Sequence, residues 1–176
     1  SYTAGTTTFS VAEGSTANID SFAITDTDTV GTLACSESGN DAGDFDCAIS
    51  SGTLTITWTN TPDYDAAADS DTNNVYAYTI TVGDGTNDAS STTYAVTVTD
   101  SNDQSPTASV SSTYSQAESS ATTFQTYTIT DSDTTGTYTC TLGGDDAADF
   151  AASISSKTCT VTWASAPDYD NAADTG

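Results

Sequence analysis

The chain repeats itself without a gap. Ile24-Thr25-Asp26-Thr27-Asp28-Thr29 returns as Ile129-Thr130-Asp131-Ser132-Asp133-Thr134, and Thr57-Trp58 with Pro62-Asp63-Tyr64-Asp65 returns as Thr162-Trp163 with Pro167-Asp168-Tyr169-Asp170. Both pairs lie 105 positions apart (129 − 24 and 162 − 57). Such self-similarity restricts a chain of 176 residues to copies of one structural unit. One unit is expected over residues 1–105 and an incomplete second over 106–176, with nothing in the second to match residues 72–105.

Within the first unit apolar and polar residues alternate at period two, the mark of half-buried strands. Strands are expected over 6–12, 17–25, 31–36, 45–49, 53–59, 76–82 and 91–99. Seven short strands in about 100 residues predict an all-β fold, a Greek-key sandwich of the immunoglobulin type. No longer segment carries a 3.6-residue period, so helix should be minor. A second unit lacking its last two strands would expose sheet edges and half a core. Either the array continues past Gly176, the reading adopted, or another chain supplies those strands by β-augmentation.

The four cysteines sharpen this layout. Cys35 aligns with Cys140, but Cys47 stands where the second unit has Ala152, and Cys159 where the first has Leu54. Cys47 shares an apolar face with Phe45 and Ile49, and Cys159 lies two residues before Val161. Pairs Cys35–Cys47 and Cys140–Cys159 are expected, each stapling one meagre core. Pairing between repeats is the alternative. Disulfides place the chain in an oxidising, extracellular setting. No apolar run is long enough for a membrane-spanning helix, and the start at Ser1 suits a processed product or fragment.

Charge narrows the function classes. Against 25 acidic residues there is one Lys, no Arg and no His, a net charge of -24. Nucleic acid binding draws on Lys and Arg at phosphates, so it is excluded as a partner, and an anionic membrane would repel the chain. Self-repulsion of this size calls for counter-charge, and divalent cations are the candidates. A halophilic surface is the alternative. The acids are nearly all Asp, which suits turns and ion-binding loops.

These acids fall at the expected ends of the sandwich. At this point the chain resembles the cadherin-like repeat family along its whole length. The motifs are Ala12-Glu13-Gly14, Thr25-Asp26-Thr27-Asp28, Pro62-Asp63-Tyr64-Asp65, Val82-Gly83-Asp84 and Asp100-Ser101-Asn102-Asp103-Gln104-Ser105-Pro106. The last is the most specific, through its order and its place before the next unit. The resemblance implies calcium between successive repeats, held by Glu13, Asp63 and Asp65, by the linker residues Asp100, Asn102 and Asp103, and by Asp131 and Asp133. It implies further ligands in Asp26, Asp28 and Asp84 at one end of the first unit, and in Glu118, Asp168 and Asp170 at the far end of the second. The family usually has Glu where Asp65 and Asp170 stand, and Asn where Gln104 stands. Mixed carboxylate and amide oxygens suit calcium, which takes six to eight of them.

Function follows from what is present and missing. Without His or Arg, and with cysteines oxidised, nucleophilic triads and phosphoryl-transfer clamps have no parts. Paired carboxylates can hydrolyse glycosides, but here they cluster at sandwich ends with no implied cleft. The expectation is a non-enzymatic structural or adhesive array, such as a surface-filament subunit, that associates with itself or with neighbouring repeats. A carbohydrate-binding or accessory module is the alternative, with Tyr2, Tyr76, Tyr78 and Tyr94 as candidate sugar platforms. Trp58 and Trp163 extend their strands' apolar faces and are expected in the core. O-glycans on Thr are compatible with the composition, whereas no Asn-x-Ser/Thr acceptor occurs.

Overall fold

The computed structural model describes residues 6–27, 30–87, 92–111, 113–119 and 123–171. Tyr2 and Asp28 lie outside them. The chain is all-β and divides into two compact units, Ser1–Ser101 and Asn102–Gly176.

The first unit holds β1 (Thr8–Ala12), β2 (Asp20–Ala23), β3 (Ala34–Ser38), β4 (Phe45–Ser50), β5 (Thr53–Trp58), β6 (Val75–Gly83) and β7 (Thr92–Thr99). One sheet runs β1-β7-β6-β3 and the other β2-β5-β4. β1 pairs parallel to β7, with Phe9 opposite Val96, and the other pairs are antiparallel. Alternation sends every second residue of β5, β6 and β7 inward. Leu54, Ile56, Tyr76, Tyr78, Ile80, Val82, Tyr94, Val96 and Val98 thus form the core. Each such side chain contributes about 1.5–3 kcal/mol by leaving water.

Aromatic contacts bind the two sheets. The Phe45 ring lies 3.9 Å from Tyr78 and 4.8 Å from Trp58, and Trp58 meets Tyr76 edge-on at 5.1 Å. Trp58 is therefore a core residue, as its place in the alternation implies. Tyr76, Tyr78 and Tyr94 are buried, which removes them as sugar platforms.

Two expected strands have different limits. β3 starts three residues late because Gly31 has φ +100°, a left-handed turn no strand accommodates, and its Cα approaches the Asp84 carbonyl too closely for any Cβ. β2 is shorter than 17–25, yet Ile19 N and Ile24 N still donate to Ile56 O and Gly52 O at 2.9 and 2.8 Å.

The second unit holds β8 (Thr107–Ala108), β9 (Thr123–Thr130), β10 (Phe150–Ser155) and β11 (Thr158–Trp163), in the order β10-β11-β9-β8. Its core is small: Ile129, Cys159 and Val161, flanked by Phe124, Tyr127, Tyr138, Cys140, Phe150 and Ile154. Trp163 stacks 4.4 Å from Phe150, and its Nε1 donates to Gln116 Oε1 at 2.9 Å. The segment 139–143, counterpart of β3, forms no strand among the described residues, which hold no partner equivalent to β6.

The disulfides are Cys35–Cys47 and Cys140–Cys159. The first joins β3, an edge of one sheet, to β4, an edge of the other. The second ties the unpaired segment to β11. Closing loops of 12 and 19 residues removes unfolded-chain entropy worth about 3 kcal/mol each.

Buried carboxylates hold the loops at one end of β6. Asp41 Oδ1 accepts from Ser70 N at 2.7 Å and Oδ2 from Ala77 N at 2.8 Å. Asp69 accepts from Asn73 N and Asn74 N at 2.9 and 3.2 Å. Burial pushes the Asp41 carboxyl up, but the N–H groups of Ala77 and Ser70 outweigh it and hold the group below the usual carboxylate range. Asp44 goes the other way, raised by burial and by the charges of Asp41 and Asp69. The signs are opposite: Asp41 stabilises the fold above its unfolded pKa and loses this as pH falls through its lower folded value, whereas ionised Asp44 works against folding. Asp41→Ala should lower stability at pH 7 by about 1–3 kcal/mol. Asp44→Asn should raise the melting temperature at pH 7, with the gain vanishing in acid. Thermal melts across pH 3–7 would check both, and exposed Asp46→Asn is the control.

Candidate metal centre

At the base of the first unit Asp65 stands beside two other acids. Glu13 ends just past β1, Asp65 sits in the turn after β5, and Asp100 follows β7. An oxygen of Asp65 lies within 4.8 Å of one from Glu13, and one of its oxygens lies within that distance of Asp100. Asp65 thus has an acidic neighbour from each of two other strand ends.

Glu13 also has a structural task. Its Oε2 accepts from Tyr64 N at 2.7 Å and its Oε1 from Ser101 N at 2.6 Å. Beside it Gly14 N donates to Pro62 O at 2.9 Å, with Gly14 at φ +71°. Asp63 turns back on its own loop, Oδ1 accepting from Ala66 N at 3.0 Å.

At the start of the second unit the linker folds over the Asp131–Asp133 turn. Asp133 is fully buried; its Oδ2 accepts from Gln104 N at 3.0 Å, and its N donates to Asp131 Oδ1 at 3.3 Å. Asp133 Oδ1 is buried with no hydrogen-bond donor among the described residues. Asn102 Oδ1 approaches Gly136 so closely that a Cβ there would stand 2.5 Å from it, and Gly136 has φ +105°. Asp103 is exposed and accepts from Gln104 Nε2 at 2.9 Å. Lys157, the chain's lone basic residue, donates from Nζ to Asp131 O at 2.9 Å and lies 5.7 Å from the Tyr138 ring centre.

The remaining expected ligands are dispersed. Asp84 Oδ1 accepts from both Thr86 N and Asn87 N at 2.7 Å, and the Asn87 and Thr86 N–H groups hold its carboxyl below the usual range. Asp26 is exposed. Glu118 Oε2 accepts from Tyr169 N at 3.1 Å, and Asp168 Oδ1 from Asp170 N at 3.0 Å, with Asp168 and Asp170 exposed. Among the described residues neither set closes into a group of three.

Sequence reasoning missed Asp41 and Asp69, both buried. Alignment with Asp146 was the available signal for Asp41, and the Asn73-Asn74 pair for Asp69. A surface acid and a buried loop cap look alike in one dimension.

Glu13→Ala should destabilise the first unit by about 2 kcal/mol, because two backbone donors lose their acceptor. The loss should persist in chelator, and Glu13→Gln, which keeps one acceptor, should lose less. Equal melting temperatures for all three chains in EDTA would contradict the structural role.

No protein-family model and no curated protein matches the chain. Solved structures do. A protocadherin gammaB7 EC3-6 cis-dimer structure superposes with TM-score 0.62 at 18% identity, covering 93% of this chain and 38% of that one. Protocadherin Gamma B2 extracellular cadherin domains 3-6 give 0.61 at 20%, covering 90% and 37%. Human Protocadherin-24 EC1-2 gives 0.60 at 18%, covering 97% and 79%. The chain thus spans less than two fifths of the first two. Its β-sandwich fold is that of cadherin extracellular repeats.

Proposed function

We propose that the chain is a structural or adhesive extracellular array of cadherin-like repeats, residues 1–105 forming one and 106–176 part of the next. Calcium bound by Glu13, Asp63, Asp65, Asp100, Asn102, Asp103, Asp131 and Asp133 would stiffen the linker. Asp26, Asp28 and Asp84, and at the other end Glu118, Asp168 and Asp170, would meet neighbouring repeats in the same way. The array associates with itself or with such repeats, and a surface filament is its simplest assembly.

Asp133 carries this reading. A buried carboxylate with one bare oxygen costs several kcal/mol unless a cation compensates it. Nearby in sequence are an amide oxygen and further carboxylates, the donor mix calcium accepts. The Glu13–Asp65 and Asp65–Asp100 pairs offer the same chemistry. With -24 net charge and a single Lys, the protein's own side chains do not supply the counter-charge.

Other features agree. Two disulfides fit an oxidising compartment. No described helix is long and apolar enough to cross a membrane. Absence of His and Arg argues for a non-enzymatic role. The neighbour described as a cis-dimer supports self-association.

Calcium at about 1 mM should raise the melting temperature and slow rotational tumbling of the chain, and EDTA should reverse both. Asp133→Asn should weaken calcium binding at least tenfold by calorimetry, whereas Asp46→Asn should leave it unchanged. Identical melts with calcium and with EDTA would overturn the proposal.

A further inference from the structure

We propose that Lys157 is a tethered counter-ion for the Asp131–Asp133 turn, and that its charge sets how much calcium is needed to fill the site there. The inference rests on the calcium reading above and names the residue that tunes that site.

Against 25 acidic residues the chain has one basic side chain. It stands in the turn between β10 and β11, and its Nζ donates to Asp131 O at 2.9 Å. Asp133 follows two residues on, with its Cα at most about 7.6 Å from that of Asp131. Its N donates to Asp131 Oδ1 at 3.3 Å, so the two acids share one turn. Asp133 is fully buried, and its Oδ1 has no donor among the described residues. Lys157 bonds a peptide carbonyl, so its charge lies beside the acids while Asp133 Oδ1 stays bare.

The first unit shows that the backbone does not require this lysine. Its equivalent, 105 positions earlier, is Gly52. Gly52 O accepts from Ile24 N at 2.8 Å and Lys157 O from Ile129 N at 2.7 Å, so the two turns meet their neighbouring strands alike. Ser51 and Ser156, just before them, both have φ +51°. A second difference accompanies the first. Tyr138 stands where the first unit has Leu33, and its ring centre lies 5.7 Å from Lys157 Nζ. The ring's quadrupole attracts the ammonium, so the paired changes hold the charge at the turn. Asp26, which is exposed, is matched with the uncharged Gly52; half-buried Asp131 is matched with the lysine.

One charge at this place has two effects of opposite sign. Without calcium, the ammonium offsets part of the repulsion between Asp131 and Asp133 and helps to hold their turn. When calcium arrives, the same ammonium repels it. A single and a double positive charge about 9 Å apart in near-aqueous surroundings repel enough to weaken binding about fivefold. That separation is close to the Debye length at physiological salt, about 8 Å, so added salt screens the effect.

The test is a calcium titration of the whole chain at low ionic strength, followed by NMR at the amides of Asp133 and of Gln104, whose N donates to Asp133 Oδ2. Lys157→Gln should bind calcium there about fivefold more tightly, and Lys157→Arg should match the parent. Salt at about 0.5 M should shrink the difference to less than about twofold. In EDTA the Lys157→Gln chain should exchange both amides faster, whereas in saturating calcium all three chains should agree. A purely structural tie would instead cost protection and calcium affinity together. Equal or weaker calcium binding by Lys157→Gln, unchanged exchange in EDTA, or lost protection in calcium as well as in EDTA would each overturn the proposal. A parent chain whose two amides ignore calcium refutes the calcium reading of this turn and the proposal with it. Calcium binding that Lys157 does not alter refutes the proposal alone.

Discussion

Strand β6 does two jobs that no neighbouring element can take over. It bonds to β3 on one edge and β7 on the other, and it sends Tyr76, Tyr78, Ile80 and Val82 into the space between the sheets. Phe45 and Trp58, from the opposite sheet, close on the two tyrosines. The disulfide Cys35–Cys47 then pins the outer strands that flank this contact. In the second unit the β10–β11 hairpin is backed by β9, and among the described residues Ile129, Cys159 and Val161 are the buried members of its core. A sandwich needs apolar cover on the inner face of both sheets, and in the first unit β6 supplies much of it.

Carboxylates shape the loops by a second constraint. With almost no basic side chains, their partners are peptide N–H groups: Ala77 and Ser70 for Asp41, Asn73 and Asn74 for Asp69, Tyr64 and Ser101 for Glu13. The device is copied at the base of both units. Glu118 takes Tyr169 N as Glu13 takes Tyr64 N, and Ser119 N reaches Pro167 O as Gly14 N reaches Pro62 O. Ser119 even adopts Gly14's left-handed backbone, at φ +53°. Each loop is thereby tied by bonds from backbone N–H groups rather than by a basic side chain.

Much of this fold was legible in one dimension because alternation along a strand and repetition at a fixed offset are local signals. β6 and β7 came out within a residue of the expected limits. β3 did not, since the Gly31 turn is set by its contact with the Asp84 carbonyl, more than 50 positions away. The candidate ligands were harder. Asp65 stands beside Glu13 and beside Asp100, whereas Asp63 and Asp84 accept bonds from their own turns. The four Asp residues share one chemical signature, and only the path of the backbone separates them.

The hairpin of β10 and β11 carries Lys157 in its turn, within the loop that Cys140 and Cys159 close. A protease that cuts after basic residues has that one bond to attack. Cleavage there would leave both fragments joined through sulfur, so the molecule remains a single covalent body until a reductant reaches it. Resistance to digestion is in this way built from a scarcity of lysine and the position of one cross-link.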